Sequence, residues 1–87
     1  MSEEISPLGV VTHYFDRISV AVVELYEPLG LGDWIHIYGP VTNFVQSVES
    51  MQYNHEPIET ANAGSEIAIQ VVDRVRKGDV IYPYYGD

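Results

Sequence analysis

Apolar and polar residues alternate along most of this chain with a period of two, the mark of half-buried β-strands. In WIHIY, residues 34–38, Ile35 and Ile37 fall on one side and Trp34, His36 and Tyr38 on the other. Runs rich in β-branched and aromatic residues predict further strands at 10–15 (VVTHYF), 18–25 (ISVAVVEL), 44–53 (FVQSVESMQY), 66–72 (EIAIQVV) and 79–84 (DVIYPY). Residues 58–63 read as a brief strand or a turn. Apolar residues do not recur at i, i+3 and i+4 over any long window, so no amphipathic helix is predicted.

Turn chemistry separates these runs. Asp16-Arg17 reads as a tight hairpin, EPLGLGD (27–33) as a loop, and Gly39-Pro40 as a turn. Gly32, Gly64 and Gly78 each precede a polar residue and an isoleucine-containing strand: GDWIHI, GSEIAI and GDVIYP. Glycine there supplies the positive φ that ends a turn, and the following Asp or Ser caps the strand start. A phosphate-cradling loop is excluded, because GLGD opens a strand rather than a helix. Strands at intervals of roughly 8–12 residues predict an all-β barrel or sandwich. The expected fold is a single closed antiparallel β-barrel of about six strands over 7–87, after a flexible start at 1–6.

Composition narrows this reading. The 87 residues suit one domain, and 46% hydrophobic content is enough for an ordered core. Cysteine is absent, which removes disulfides and thiolate zinc sites. Thirteen acidic residues against four basic ones leave a formal charge of −9. Phosphate backbones are bound through Lys and Arg, so this balance disfavours nucleic acid as a partner. The one basic cluster, Arg74, Arg76 and Lys77, is flanked by Asp73 and Asp79; it is where a phosphate would be met. No apolar stretch reaches the ~20 residues of a membrane helix, and the acidic start lacks an apolar signal region; a cytoplasmic protein without a membrane partner is expected.

Catalytic chemistry finds no frame. No GxSxG surrounds a serine, no carboxylates carry the spacing of a catalytic pair, and His13, His36 and His55 lack a metal-ligand pattern. No catalytic residue, metal or cofactor is predicted. His13 alternates with Val11 and Phe15, which suggests a partly buried ring. The candidate partner-binding residues are aromatic. Trp34, His36 and Tyr38 form the outer stripe of their strand, and Tyr82 and Tyr84 share a face of the last one. Such rings bury much area and keep a polar handle, so together they would suit a protein partner or self-association.

The order of the pieces resembles the second domain of translational GTPases such as elongation factor Tu. The matching positions are Gly32, Asp33 and Gly39, then Glu49 with Met51, then Ala63 and Gly64, then Gly78, Asp79 and Val80. The resemblance covers roughly residues 8–84, without a GTPase domain. Similar barrels also occur at the end of collagenase-like peptidases. The translation-factor resemblance implies a non-catalytic, stand-alone binding module associated with the translation machinery or RNA, through the aromatic patch and Arg74, Arg76 and Lys77. The net charge favours the rival, a protein–protein module or homo-oligomer that uses the same aromatics.

Overall fold

The computed structural model describes residues 6–86, so the flexible start expected at 1–6 lies, Ser6 apart, outside the described residues. Ten strands follow in order: β1 Gly9–Phe15, β2 Val20–Leu25, β3 Leu29–Gly30, β4 Trp34–Gly39, β5 Thr42–Ser47, β6 Met51–Tyr53, β7 Glu56–Ile58, β8 Thr60–Ala61, β9 Glu66–Gln70 and β10 Val80–Pro83. All pairings are antiparallel, and no helix occurs among the described residues.

The main sheet runs β5-β4-β10-β1-β2-β9-β6-β7, with β3 and β8 pairing separately. The expected closed ladder of about six strands is therefore replaced by an open eight-stranded sheet and a two-stranded ribbon. The difference arises where one long strand was expected over 44–53. The chain leaves β4 as β5, breaks at residues 48–50, and continues as β6 on β9 at the far side of the sheet. The sheet curls so that its two sides are joined by covalent chain rather than by a ladder. Gln46 spans the seam with its side-chain amide. Its Nε2 donates to Gln70 O at 3.0 Å, and its Oε1 accepts from Val72 N at 2.8 Å. That amide stands in for a missing strand's peptide group, which explains why a glutamine is buried there.

Alternation fills the interior as predicted on most strands. Ile35 and Ile37 of β4, Val23 and Leu25 of β2, Ile67 and Ile69 of β9, and Ile81 of β10 are buried together with Val48, Met51 and Val75. Each such side chain removed from water contributes roughly 1.5–3 kcal/mol before chain entropy is counted. Strand β1 departs from the pattern. Val11 pairs with Val23, but His13 pairs with Val22, so a bulge at Thr12 resets the phase. Tyr14 packs on the core instead, and His13, expected to be partly buried, is exposed beside Phe15. The β1–β2 turn is longer than the expected Asp16-Arg17 pair. Phe15 pairs with Val20, and Ser19 carries a φ of 56°.

The three glycine turns form as expected, with φ of 88° at Gly32, 89° at Gly64 and 94° at Gly78. In each, the residue after the glycine donates its backbone N–H to the carbonyl three residues earlier: Asp33 to Gly30, Ser65 to Asn62, Asp79 to Arg76. A positive φ at the third position of such a turn is the type II signature, which glycine adopts without a Cβ clash. In the two Gly-Asp turns the carboxylate also accepts the first residue's N–H, from Gly30 to Asp33 Oδ2 at 2.9 Å and from Arg76 to Asp79 Oδ2 at 2.8 Å.

Candidate functional site

Strand β4 lies beside β10 with Tyr38 opposite Val80, Ile37 opposite Ile81, His36 opposite Tyr82 and Ile35 opposite Pro83. With period two, this register sends Ile35, Ile37 and Ile81 inward and gathers His36, Tyr38 and Tyr82 on the outer face. The pairing continues past β10 through a hydrogen bond from Tyr84 N to Trp34 O of 3.1 Å, which directs the tail along the same face. Pro83 is the last residue of β10, and the β1 ladder reaches only to Ile81, so its missing N–H leaves no gap in that ladder.

The result is an open groove of about 530 Å³ lined by His36, Tyr38, Tyr82, Pro83, Tyr84 and Tyr85, with Gly86 at its end. Tyr38 is half exposed, Tyr84 somewhat less, and Tyr85 is 84% exposed. His36 packs edge-on to Tyr38 with ring centroids 5.8 Å apart. Its Nε2 lies 2.6 Å from Asn43 Oδ1 on the neighbouring β5. A carboxamide oxygen only accepts, so Nε2 carries a proton and donates, which fixes the ring. The groove thus combines ring faces, phenol hydroxyls and one immobilised imidazole, and among the described residues no carboxylate, Lys or Arg lines it.

Four of the five aromatic candidates, His36, Tyr38, Tyr82 and Tyr84, therefore meet in one place. Trp34 does not line that groove. It lines a second hollow of about 460 Å³ with Val45, Gln46, Ser47, Glu49, Gln70 and Val72, at the seam. Much of that hollow's polar character is committed to the fold, since Gln46 bridges the seam and Gln70 Nε2 donates to Ile18 O. Pro83, Tyr85 and the positioning residue Asn43 were missed as site residues. The aromatic run at the tail signals the first two; Asn43 depends on the β4–β5 register.

Arg74, Arg76 and Lys77 are exposed on the segment between β9 and β10, and none lines either hollow. Arg74 N donates to Asp73 Oδ1 at 2.7 Å, part of the local turn structure. The three histidines lie apart, His13 on β1, His36 on β4 and His55 in the β6–β7 turn with a φ of 68°. Among the described residues no group of three His, Cys, Asp or Glu side chains is placed to hold a metal ion.

No protein-family model matches the chain. In sequence it is 38% identical over 76 residues to an uncharacterized protease of Methanocaldococcus jannaschii, a match covering 86% of this chain and 19% of that protein. It is also 38% identical over 79 residues to a collagenase of Porphyromonas gingivalis, covering 88% of this chain and 22% of that protein. The chain spans about a fifth of the length of these curated relatives. In structure it is similar to the C-terminal domain of a Geobacillus thermoleovorans protein assigned to the U32 peptidases. The TM-score is 0.85 at 18% identity, covering 90% of this chain and 91% of that one. A selenomethionine variant of that domain gives 0.84 at 19% identity; likeness at this level shows the fold alone.

These relatives overturn the translation-factor assignment, and with it the function in translation or RNA binding and the description as an elongation-factor-like module. The physical reason is visible in the residues that carried the resemblance. Gly32, Gly64 and Gly78 are turn positions with positive φ, and Gly39 packs against the Asp79 carboxylate. They are requirements of the backbone path, so they specify a strand arrangement and are silent about what it binds. The similarity that carries sequence identity runs instead to proteins named protease and collagenase.

Proposed function

We infer that this chain is the polypeptide-holding domain of a peptidase-type protein, with bond cleavage carried out elsewhere. The observation that carries this reading is the 38% identity, over nearly the whole chain, to about a fifth of proteins named protease and collagenase. The groove chemistry is consistent with holding rather than cleaving. Phenols and ring faces bind extended chains well, and His36, the one lining imidazole, is tied to Asn43 rather than to a nucleophile.

Anisotropy of fluorescein-labelled casein, in the presence of the 87-residue chain, tests this directly when paired with a gel assay for cleavage. Binding without cleavage is the expected result. Cleavage by the chain itself would make it a catalyst, and absence of binding would remove the polypeptide-holding role.

A further inference from the structure

We propose that the hollow at the seam, lined by Trp34, Glu49 and Val72, is a site for a guanidinium group on an aliphatic stem. An arginine side chain or a free alkylguanidine has that chemistry. The inference stands apart from the polypeptide-holding reading, because it concerns a different surface and a ligand that need not be a polypeptide.

Strand register assembles the place. Trp34 of β4 pairs with Ser47 of β5, so the two side chains stand on one face as direct cross-strand neighbours. Ser47 Oγ donates to Glu49 Oε2 at 2.7 Å, which ties that carboxylate to the residue opposite the indole. Trp34 is half exposed, and Val45 and Val72 add apolar wall to the same hollow.

Hydrogen-bond accounting selects the ligand. The amide and hydroxyl donors of the lining are spent on the fold. Gln46 Nε2 donates to Ser47 O at 3.2 Å and to Gln70 O at 3.0 Å. Gln70 Nε2 donates to Ile18 O at 3.0 Å and to Ser19 O at 3.3 Å, and Ser47 Oγ is committed to Glu49. The nitrogen end of Gln70 faces two carbonyls, so its other end is the oxygen, an acceptor. A ligand therefore meets a carboxylate, a carboxamide oxygen and an indole. A guanidinium, with five N–H donors and no acceptor, matches that set. Sugar hydroxyls would find acceptors there but few donors, and an anion would be repelled by Glu49.

Charge and ring geometry agree with this choice. A cation over an aromatic face is drawn to the ring quadrupole, and tryptophan is the strongest such partner. A planar guanidinium can stack on the indole while its edge donates to a carboxylate; a compact ammonium does not combine the two. Among the described residues no Lys or Arg lines the hollow, so the chain does not fill the place itself. The formal charge of −9 adds a field that gathers cations and opposes a second copy of the chain.

The test is chemical-shift mapping of amide and indole N–H groups on the 87-residue chain, titrated with Nα-acetylarginine amide. Shifts at the Trp34 indole, Val45, Gln70 and Val72 are expected, saturating with one ligand per chain and weakening as salt is added. Glu49→Gln, which keeps an acceptor for Ser47, should weaken binding about tenfold. Trp34→Leu, which keeps apolar bulk and removes the ring, should weaken it about fivefold. Tyr53→Ala, on β6, should leave affinity unchanged, and the remaining resonances of each variant check its fold.

Equal affinity for the citrulline counterpart, which has the same shape without the charge, would overturn the proposal. So would a lysine counterpart that binds as tightly, or shifts confined to His36, Tyr38, Tyr82 and Tyr84. A capped pentapeptide with one arginine among glycines, compared with agmatine, separates the two sources: tighter peptide binding assigns the site to a polypeptide arginine, and equal binding to a free alkylguanidine, the site standing in both cases. Casein binding without any response to the arginine derivative would overturn the guanidinium site and leave polypeptide holding intact. The reverse pattern would remove polypeptide holding and keep the site.

Discussion

Two turns in this chain have the same local chemistry and different surroundings. In Gly30–Asp33 and Arg76–Asp79 a glycine holds a positive φ, the aspartate N–H closes the turn, and its carboxylate accepts the first residue's N–H. Asp33 does this in solvent, whereas Asp79 is 2% exposed. The burial comes from Gly39, which ends β4 against the Asp79 side chain; a Cβ built there would run into Asp79 Oδ1. One turn is thus local punctuation, while the other fastens the end of β4 to the start of β10, the two strands that carry the groove. A repeated motif need not be a repeated role.

The comparison can be broken most severely at Gly39. Gly39→Ala forces a methyl group into the buried carboxylate and should cost about 3 kcal/mol, the upper range for overpacking. A loss of that size lowers the melting temperature of a domain this small by roughly 12–24 °C, measurable by thermal unfolding. If the variant melts like the parent, the Gly39–Asp79 contact is not what distinguishes the turns.

Asp79→Ala comes next, at about 2 kcal/mol, because the Arg76 N–H then loses its acceptor in a partly buried place. The double variant Gly39→Ala with Asp79→Ala should lose less than the two single losses together, since removing the carboxylate frees the space the methyl group needs. Urea unfolding of all four proteins gives that coupling; strict additivity would contradict it.

Gly32→Ala and Gly78→Ala should each cost about 1–2 kcal/mol, the strain of a Cβ in the left-handed region. Here the two turns should behave alike, as nothing lies within 4 Å of a Cβ at either glycine. A large difference between them would show that the glycines, and not only the aspartates, have diverged in role.

Asp33→Ala should be the mildest change, about 0.5 kcal/mol, because the freed Gly30 N–H can turn to water. The contrast between Asp33→Ala and Asp79→Ala, measured under one set of conditions, is the sharpest form of the comparison.

Much of the architecture was legible because it rests on short-range rules. The positive φ at Gly32, Gly64 and Gly78, the inward Ile35 and Ile37, and the outward His36 and Tyr38 all follow from φ/ψ sterics and the two-residue period. That period misled at His13, because a bulge one residue earlier depends on the partner strand's register. The single strand expected over 44–53 failed for a related reason. Its halves pair with β4 and β9, and a continuous apolar pattern does not say where one neighbour hands over to the other. The open seam was illegible, since Gln46 reads as an outward polar residue until Gln70 and Val72 are found opposite it.

The candidate site divides in the same manner. Its residue types were plain in WIHIY and YPYY, but Trp34 was grouped with His36 and Tyr38 by strand face, whereas in the structure it lines a separate hollow with Val45, Gln70 and Val72.

From residue order alone follow the all-β class, the antiparallel turns and the identity of the aromatic strip, because each depends on atoms a few bonds apart. Which strands border the opening, why one aspartate of two is buried, and which aromatic rings share a groove depend on contacts between residues about 25 to 50 positions apart. Those contacts exist only once the sheet has curled, because pairing energies along a ladder and steric fit across it are properties of neighbours that the chain meets in space.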